Sequence, residues 1–206
     1  MSISKAPPRA RRAGGRRAAI PVAFAAGAPA LPPTASRAAL LDGGSDQRFR
    51  RLVYDLLTIA SRMTMVREHL ASRMGMTAPQ YSLMMAVGQF QGARGVGVTS
   101  LARVLHVSNA FVATESGKLA QAGLLTKRAN PADRRGVLLS LTRAGRALIE
   151  KESGEIRAVN DVFFGALTRT RFTALAATMA ELVRSSARAT AMLDRAGREI
   201  WREAAE

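Results

Sequence analysis

The chain has 206 residues, 48% of them hydrophobic, enough to bury one ordinary core with a tail to spare. Its 31 Lys and Arg against 15 Asp and Glu give a formal charge of +16, which favours a polyanionic partner over a basic or neutral one. The absence of cysteine excludes a disulfide framework and any thiol-based redox sensor, and no apolar run reaches the roughly 18 residues of a membrane span.

Residues 1–45 hold six of the eight prolines amid alanine, glycine and arginine, show no sustained period, and read as a disordered basic tail. That tail contains seven basic residues and one acid, so 24 basic and 14 acidic residues remain beyond it and the folded part still carries +10. A signal peptide is the rival reading, because Arg16 and Arg17 precede a weakly apolar stretch; Pro21, Gly27 and Pro29 interrupt that stretch. Solvated surface arginine is the plain alternative to a nucleic-acid footprint.

Over residues 46–74, Phe49, Leu52, Val53, Leu56, Leu57, Ala60 and Met63 step at threes and fours, the period of a long amphipathic helix that Gly75 should end. Thr77 and Gln80 have capping-box spacing with Pro79 in the first turn, opening a second helix to about residue 89. A loop over 92–97 leads to a third helix over 99–107, with Thr99 as its expected N-cap. Ser108 then caps a fourth helix over 109–122, stopped by Gly123. Two leucine-rich runs, 124–128 and 137–141, flank a segment of Asn, Pro, Asp and Gly, which predicts a β-hairpin with Arg134 and Arg135 at its tip. Thr142 caps a long helix to about residue 166, and Thr168 another to about 193, where Phe172, Leu175, Ala176, Met179, Leu182 and Val183 form an apolar stripe. Residues 196–206 are left as a C-terminal extension.

The expected fold is therefore mainly α with a small β-hairpin wing: a winged helix-turn-helix over 99–145, inside a domain over 46–195. The first and last helices each have an apolar face to hide, and a second copy of the chain or packing within the monomer could hide it.

On the fourth helix, Val112, Ser116 and Leu119 recur on one side and face inward. Asn109, Ala110, Ala113, Thr114, Gly117 and Lys118 face out, where amide and hydroxyl groups can bond to base edges, alanine can touch a thymine methyl, and lysine can reach a phosphate or a guanine. Phe111 either seats the helix in the core or contacts a thymine methyl. Glu115 has no evident role, with Arg103 as one partner in reach. His106, at the turn, is either structural or a phosphate contact.

Six of the nine methionines lie between 63 and 85, near Tyr54 and Tyr81. They are either core filler or the adaptable wall of a pocket for a small effector, which Tyr54, Arg62, Met65, His69, Tyr81 and Met85 would line. Only His69 and His106 offer imidazoles, so no metal is expected, and no cofactor. No phosphate-binding glycine loop, activated nucleophile or paired carboxylate set points to an enzyme.

The run Gly123-Leu-Leu, Arg128, Asp133-Arg-Arg135 and Leu141-Thr-Arg-Ala-Gly145 resembles the MarR family of transcriptional regulators, and a looser resemblance extends from about Arg48 to about Leu193. It implies a homodimer, joined through its terminal helices, that binds a pseudopalindromic DNA operator in the cytoplasm and is released by a small, often aromatic, effector. The expected DNA contacts are Ser108, Asn109, Ala110, Ala113, Thr114, Lys118, Arg128, Asp133, Arg134 and Arg135; of these the resemblance itself implies the wing roles, with Asp133 orienting the wing and Arg135 entering the minor groove. Thr114, Glu115 and Gly117 depart from the family, which commonly has arginine, an apolar residue and aspartate there. A constitutive or architectural DNA-binding protein without a ligand pocket is the alternative. If Arg135 enters the minor groove, Arg135→Ala should weaken operator binding by about 1–3 kcal/mol with the fold unchanged, read by duplex titration alongside circular dichroism.

Overall fold

The computed structural model describes residues 31–203, apart from the side chains of Arg134, Arg135 and residues 194–203. The first part of the expected tail lies outside the described residues. Two compact units divide the chain between Tyr54 and Asp55.

In the first unit one carboxylate organises the chain. Asp46 accepts from the Thr34 amide at 2.5 Å and the Thr34 hydroxyl at 2.8 Å, while Arg50 Nε lies 3.0 Å from both carboxylate oxygens. Arg50 also donates through Nη2 to the Pro32 carbonyl at 2.8 Å. The bond from Arg50, then that from the Thr34 amide, hold the Asp46 carboxyl far below the usual carboxylate range. Residues assigned by composition to the tail are thus fastened onto the first turn of α1 (Gln47–Arg73), with a 3-10 turn over Ala38–Leu40. Composition averages over a segment and does not register one well-bonded carboxylate.

The second unit holds α2 (Ala78–Phe90), α3 (Val98–Leu105), α4 (Asn109–Gln121), α5 (Arg143–Phe163) and α6 (Arg169–Glu203) with β1 (Val96–Gly97), β2 (Leu125–Asn130) and β3 (Asp133–Leu141). The sheet is antiparallel in the order β1-β3-β2. Leu83, Met84 and Val87 of α2, Leu101 of α3, Val112 of α4 and Leu139 of β3 are fully buried and form its centre. Arg73, at the end of α1, meets the buried Glu152 of α5 at 2.8 Å, an ion pair that raises the arginine pKa and pins two helices.

Local signals set most helix ends. Thr77 and Gln80 form the expected reciprocal capping box, Ser108 accepts from the Phe111 amide at 3.1 Å, and Thr142 accepts from the Gly145 amide at 2.9 Å. After α4, Gly123 takes φ +72°, and the Gly123 and Leu124 amides bond to the Ala120 and Leu119 carbonyls in a Schellman closure.

Three elements differ from expectation. Thr99 is not an N-cap: Val96 and Gly97 pair with Leu139 and Leu138 as β1, so the chain turns directly from strand to helix at Val98. The hairpin strands are longer than the leucine runs. Asn130 Oδ1 accepts from the Ala132 amide at 3.1 Å and closes a tight turn at Pro131 and Ala132, which starts β3 at Asp133 and puts the backbone of Arg134 and Arg135 in the strand rather than at the tip. The last helix continues past residue 193 to Glu203, through much of the expected extension.

The Gly145 of the sequence motif has a steric reason. A Cβ there would lie 2.3 Å from the Leu124 carbonyl oxygen and 3.2 Å from its carbon, both backbone atoms that cannot step aside. At Gly154, in the same helix, a Cβ meets nothing within 4 Å. Gly145→Ala should therefore cost about 1–3 kcal/mol and Gly154→Ala should gain about 0.4–1 kcal/mol, in urea denaturation of the two variants.

Candidate nucleic-acid interface

The helix-turn-helix is built by α3, a sharp turn and α4. His106 makes the turn in the left-handed conformation, φ +53° and ψ +46°, a geometry that costs a non-glycine residue about 1–2 kcal/mol. Its side chain is exposed. The Val107 amide bonds to the Ala102 carbonyl at 3.0 Å and fixes the angle at which α4 departs.

On α4 the inward side is as the spacing requires, with Val112, Ser116 and Leu119 buried. Asn109, Ala110, Ala113, Thr114 and Lys118 are exposed together along the other side, headed by Ser108. Four of the five residues of this row fall in the first two turns, so polar donors and small side chains share one end of one helix. Phe111 is half-buried and lies along a groove, neither in the core nor on the outer face. Glu115 is buried and pairs with Lys118, Oε1 to Nζ 2.7 Å, rather than with Arg103. An acidic residue one turn before a lysine could have suggested that pair.

The wing stands beside this helix. Lys127 of β2 donates to the Ala113 carbonyl of α4 at 3.4 Å, a contact sequence reasoning missed. Arg128 is exposed and donates to the Arg94 carbonyl at 3.3 Å. The loop before β1 and the turn end of the wing enclose an open concavity of about 600 Å³, lined by Arg94, Arg128, Asn130 and Leu138 among others. Asp133 is exposed at the start of β3, and its carboxylate would lie 3.2 Å from a Cβ at Gly136, so it folds back along the strand. The side chains of Arg134 and Arg135 lie outside the described residues. Leu141, at the root of β3, is set by the Gln91 side chain, which accepts from its amide at 2.8 Å.

The six effector candidates differ in their surroundings. Tyr54 is exposed in the first unit. In the second, Arg62 and Met65 are exposed, His69 lies 3.5 Å from Glu155, Tyr81 is buried in the core with its phenol pKa pushed up, and Met85 packs half-buried against the core. A groove of about 370 Å³ exists instead on the neighbouring faces of these helices. Thr64, Arg67 and Glu68 of α1, Ala78, Pro79 and Ser82 of α2, and Leu105, Val107 and Phe111 of the helix-turn-helix form its walls. Arg67 Nη2 donates to the Thr64 hydroxyl at 3.2 Å. Met74 and Met84, two methionines of the same helical region, are buried in the core. Among the described residues, no cluster of His, Cys, Asp or Glu could hold a metal ion, and no helix is long and apolar enough to cross a membrane.

Residues 76–137 match the family model for the MarR family. No curated protein matches the chain. Among solved structures, a MarR-family transcriptional regulator from Silicibacter pomeroyi is 19% identical, covers 72% of this chain and 94% of its own, with a TM-score of 0.57. The S. aureus MepR–DNA complex is 16% identical, with coverage of 65% and 96% and a TM-score of 0.55. Bordetella bronchiseptica BpsR, whose DNA binding is regulated by 6-hydroxynicotinic acid, is 22% identical, with coverage of 65% and 98% and a TM-score of 0.53. The fold of this chain is the one these proteins share.

If the outer row of α4 reads bases, Asn109→Ala and Thr114→Ala should change which sequences are preferred while leaving the salt dependence of binding alone. Arg128→Ala should instead lower affinity evenly across sequences and flatten the salt slope by about one charge. Selection from a random duplex library, followed by titration at two salt concentrations, separates the two classes.

Proposed function

From the premise that the chain carries a MarR-family winged helix-turn-helix domain, we propose a ligand-responsive repressor that binds a pseudopalindromic operator as a homodimer and lets go when a small effector enters the groove at the helix-turn-helix joint. Proteins of this family are DNA-binding transcription regulators. The groove is the observation that favours a responsive regulator over a constitutive one. Its walls include Leu105 and Val107, which flank the turn that aims α4, and Phe111 in the first turn of α4. A molecule seated there would press on Phe111 and change the angle of the reading helix, so the same contacts that bind it would bias the protein away from DNA.

Beside its apolar wall the groove carries Arg67, Thr64, Ser82 and the carboxylate of Glu68, which suits a compact ring whose acidic group meets Arg67 and whose hydrogen-bond donor meets Glu68. The BpsR ligand has that chemistry. Exposed apolar residues support the dimer: Leu52, Val53, Leu56 and Leu57 on α1, and Phe172, Leu175, Met179, Leu182 and Val183 on α6, the last five between 39 and 58% exposed. Stripes of this kind are costly to leave in water, and a second copy would cover them. Two such domains related by a two-fold axis would place their α4 helices in successive major grooves of DNA in the cytoplasm.

The test is recovery of genomic fragments retained by the protein, followed by titration of the recovered operator with benzoate and 6-hydroxynicotinic acid. A dimer by light scattering, protection of two half-sites about one helical turn apart, and release by an aromatic acid are expected. Ala78→Phe, which fills the groove, should keep operator binding and lose the release. Release that persists undiminished in Ala78→Phe would place the effector elsewhere, and a monomer that protects a single half-site with full affinity would end the dimer.

A further inference from the structure

The recognition helix of this strongly basic protein contains a buried acid. Glu115 is 8% exposed, and its Oε1 lies 2.7 Å from Nζ of Lys118, whose side chain remains 55% exposed. The carboxylate therefore sits beneath the ammonium and the ammonium faces outward. Lys127, on β2, reaches the same helix at the Ala113 carbonyl.

We infer that Glu115 is a specificity-determining residue: by clasping Lys118 it cancels that lysine's charge towards DNA and so suppresses binding to arbitrary sequence. The inference rests on α4 being the helix that enters the DNA groove. Two properties of a lysine act on DNA, and the clasp separates them. Long-range attraction to phosphates follows net charge, which the pair reduces to zero. Directional bonding follows free donors, and an ammonium has three, of which Glu115 engages one. Lys118 thus keeps the capacity to bond to a base edge at contact distance while losing the capacity to hold any phosphate from afar. In a chain whose residues beyond 45 carry +10, attraction to any phosphate works against selectivity, and cancelling one charge on the reading surface itself lowers random binding while leaving donors for base edges in place.

The full chain and Glu115→Gln are titrated against a random-sequence duplex and the recovered operator at about 50 and 200 mM salt. Unmasking one cation should steepen the logarithmic salt slope by about 0.9, so the variant should lose about 3.5-fold more random-duplex affinity than the wild type between those two salts. At the lower salt its random-duplex affinity should rise severalfold and its operator preference should fall. Glu115→Gln combined with Lys118→Gln should return the slope to the wild-type value, because the pair is neutral in both proteins; a role in folding alone would not be reversed by removing the lysine. Glu115→Leu fills the buried position with an apolar side chain and repeats the measurement if the glutamine variant does not fold. An unchanged slope in the variants, or a change that survives removal of Lys118, overturns the inference while leaving α4 as the reading helix. A wild-type protein that does not prefer its recovered fragments over random duplex overturns both.

Discussion

The structure depends on the carbonyl groups of Gly123 and Leu124. Thr142 Oγ1 donates to Gly123 at 2.7 Å and its amide donates to Leu124 at 3.0 Å, while the bare Cα of Gly145 presses against the same Leu124 carbonyl. At this one point the end of α4, the first residue before β2, the end of β3 and the start of α5 are fastened together. The relative direction of α4 and the wing is thus fixed by one backbone hydrogen bond, one short hydroxyl bond and a steric contact rather than by long flexible side chains. A surface meant to fit a rigid duplex needs that kind of fixing, since misplacement of either element loses contacts at both.

Charge is handled differently inside and outside. The buried acids of the second unit each have a cation, Glu152 with Arg73 and Glu115 with Lys118, as burial of a carboxylate requires. Glu152 joins α1 to α5 and so holds one wall of the groove near the helix-turn-helix. Glu115 holds no second element; its partner is on its own helix. A pair that costs desolvation and fastens nothing together is poorly explained by stability, and its place on the outward helix gives it an electrostatic meaning instead.

Much of the fold was legible because its signals are local. Thr77 with Gln80, Ser108, Thr142 and Gly123 each act within five residues, and a cap or a left-handed turn works the same way whatever surrounds it. The strand β1 was invisible because two residues, Val96 and Gly97, form it only by borrowing bonds from Leu138 and Leu139 some forty positions away. The turn at Pro131 and Ala132 was displaced for a related reason: turn formers Asn130, Pro131, Asp133 and Gly136 are spread along the segment, and the bond that the Asn130 side chain accepts from the Ala132 amide selects which pair makes the turn.

The sequence by itself determined the order of helices, the inward side of α4, the hairpin and the basic balance, because periodicity, caps and charge are properties of neighbouring residues or of totals. Only the tertiary structure decided that Glu115 belongs to Lys118, that Arg67, Ser82 and Phe111 share a groove that the methionines and tyrosines do not line, and that Gly145 must lack a side chain. Those facts are distances between residues far apart in the chain, or choices among several partners in equal reach, and a pattern along one dimension contains neither.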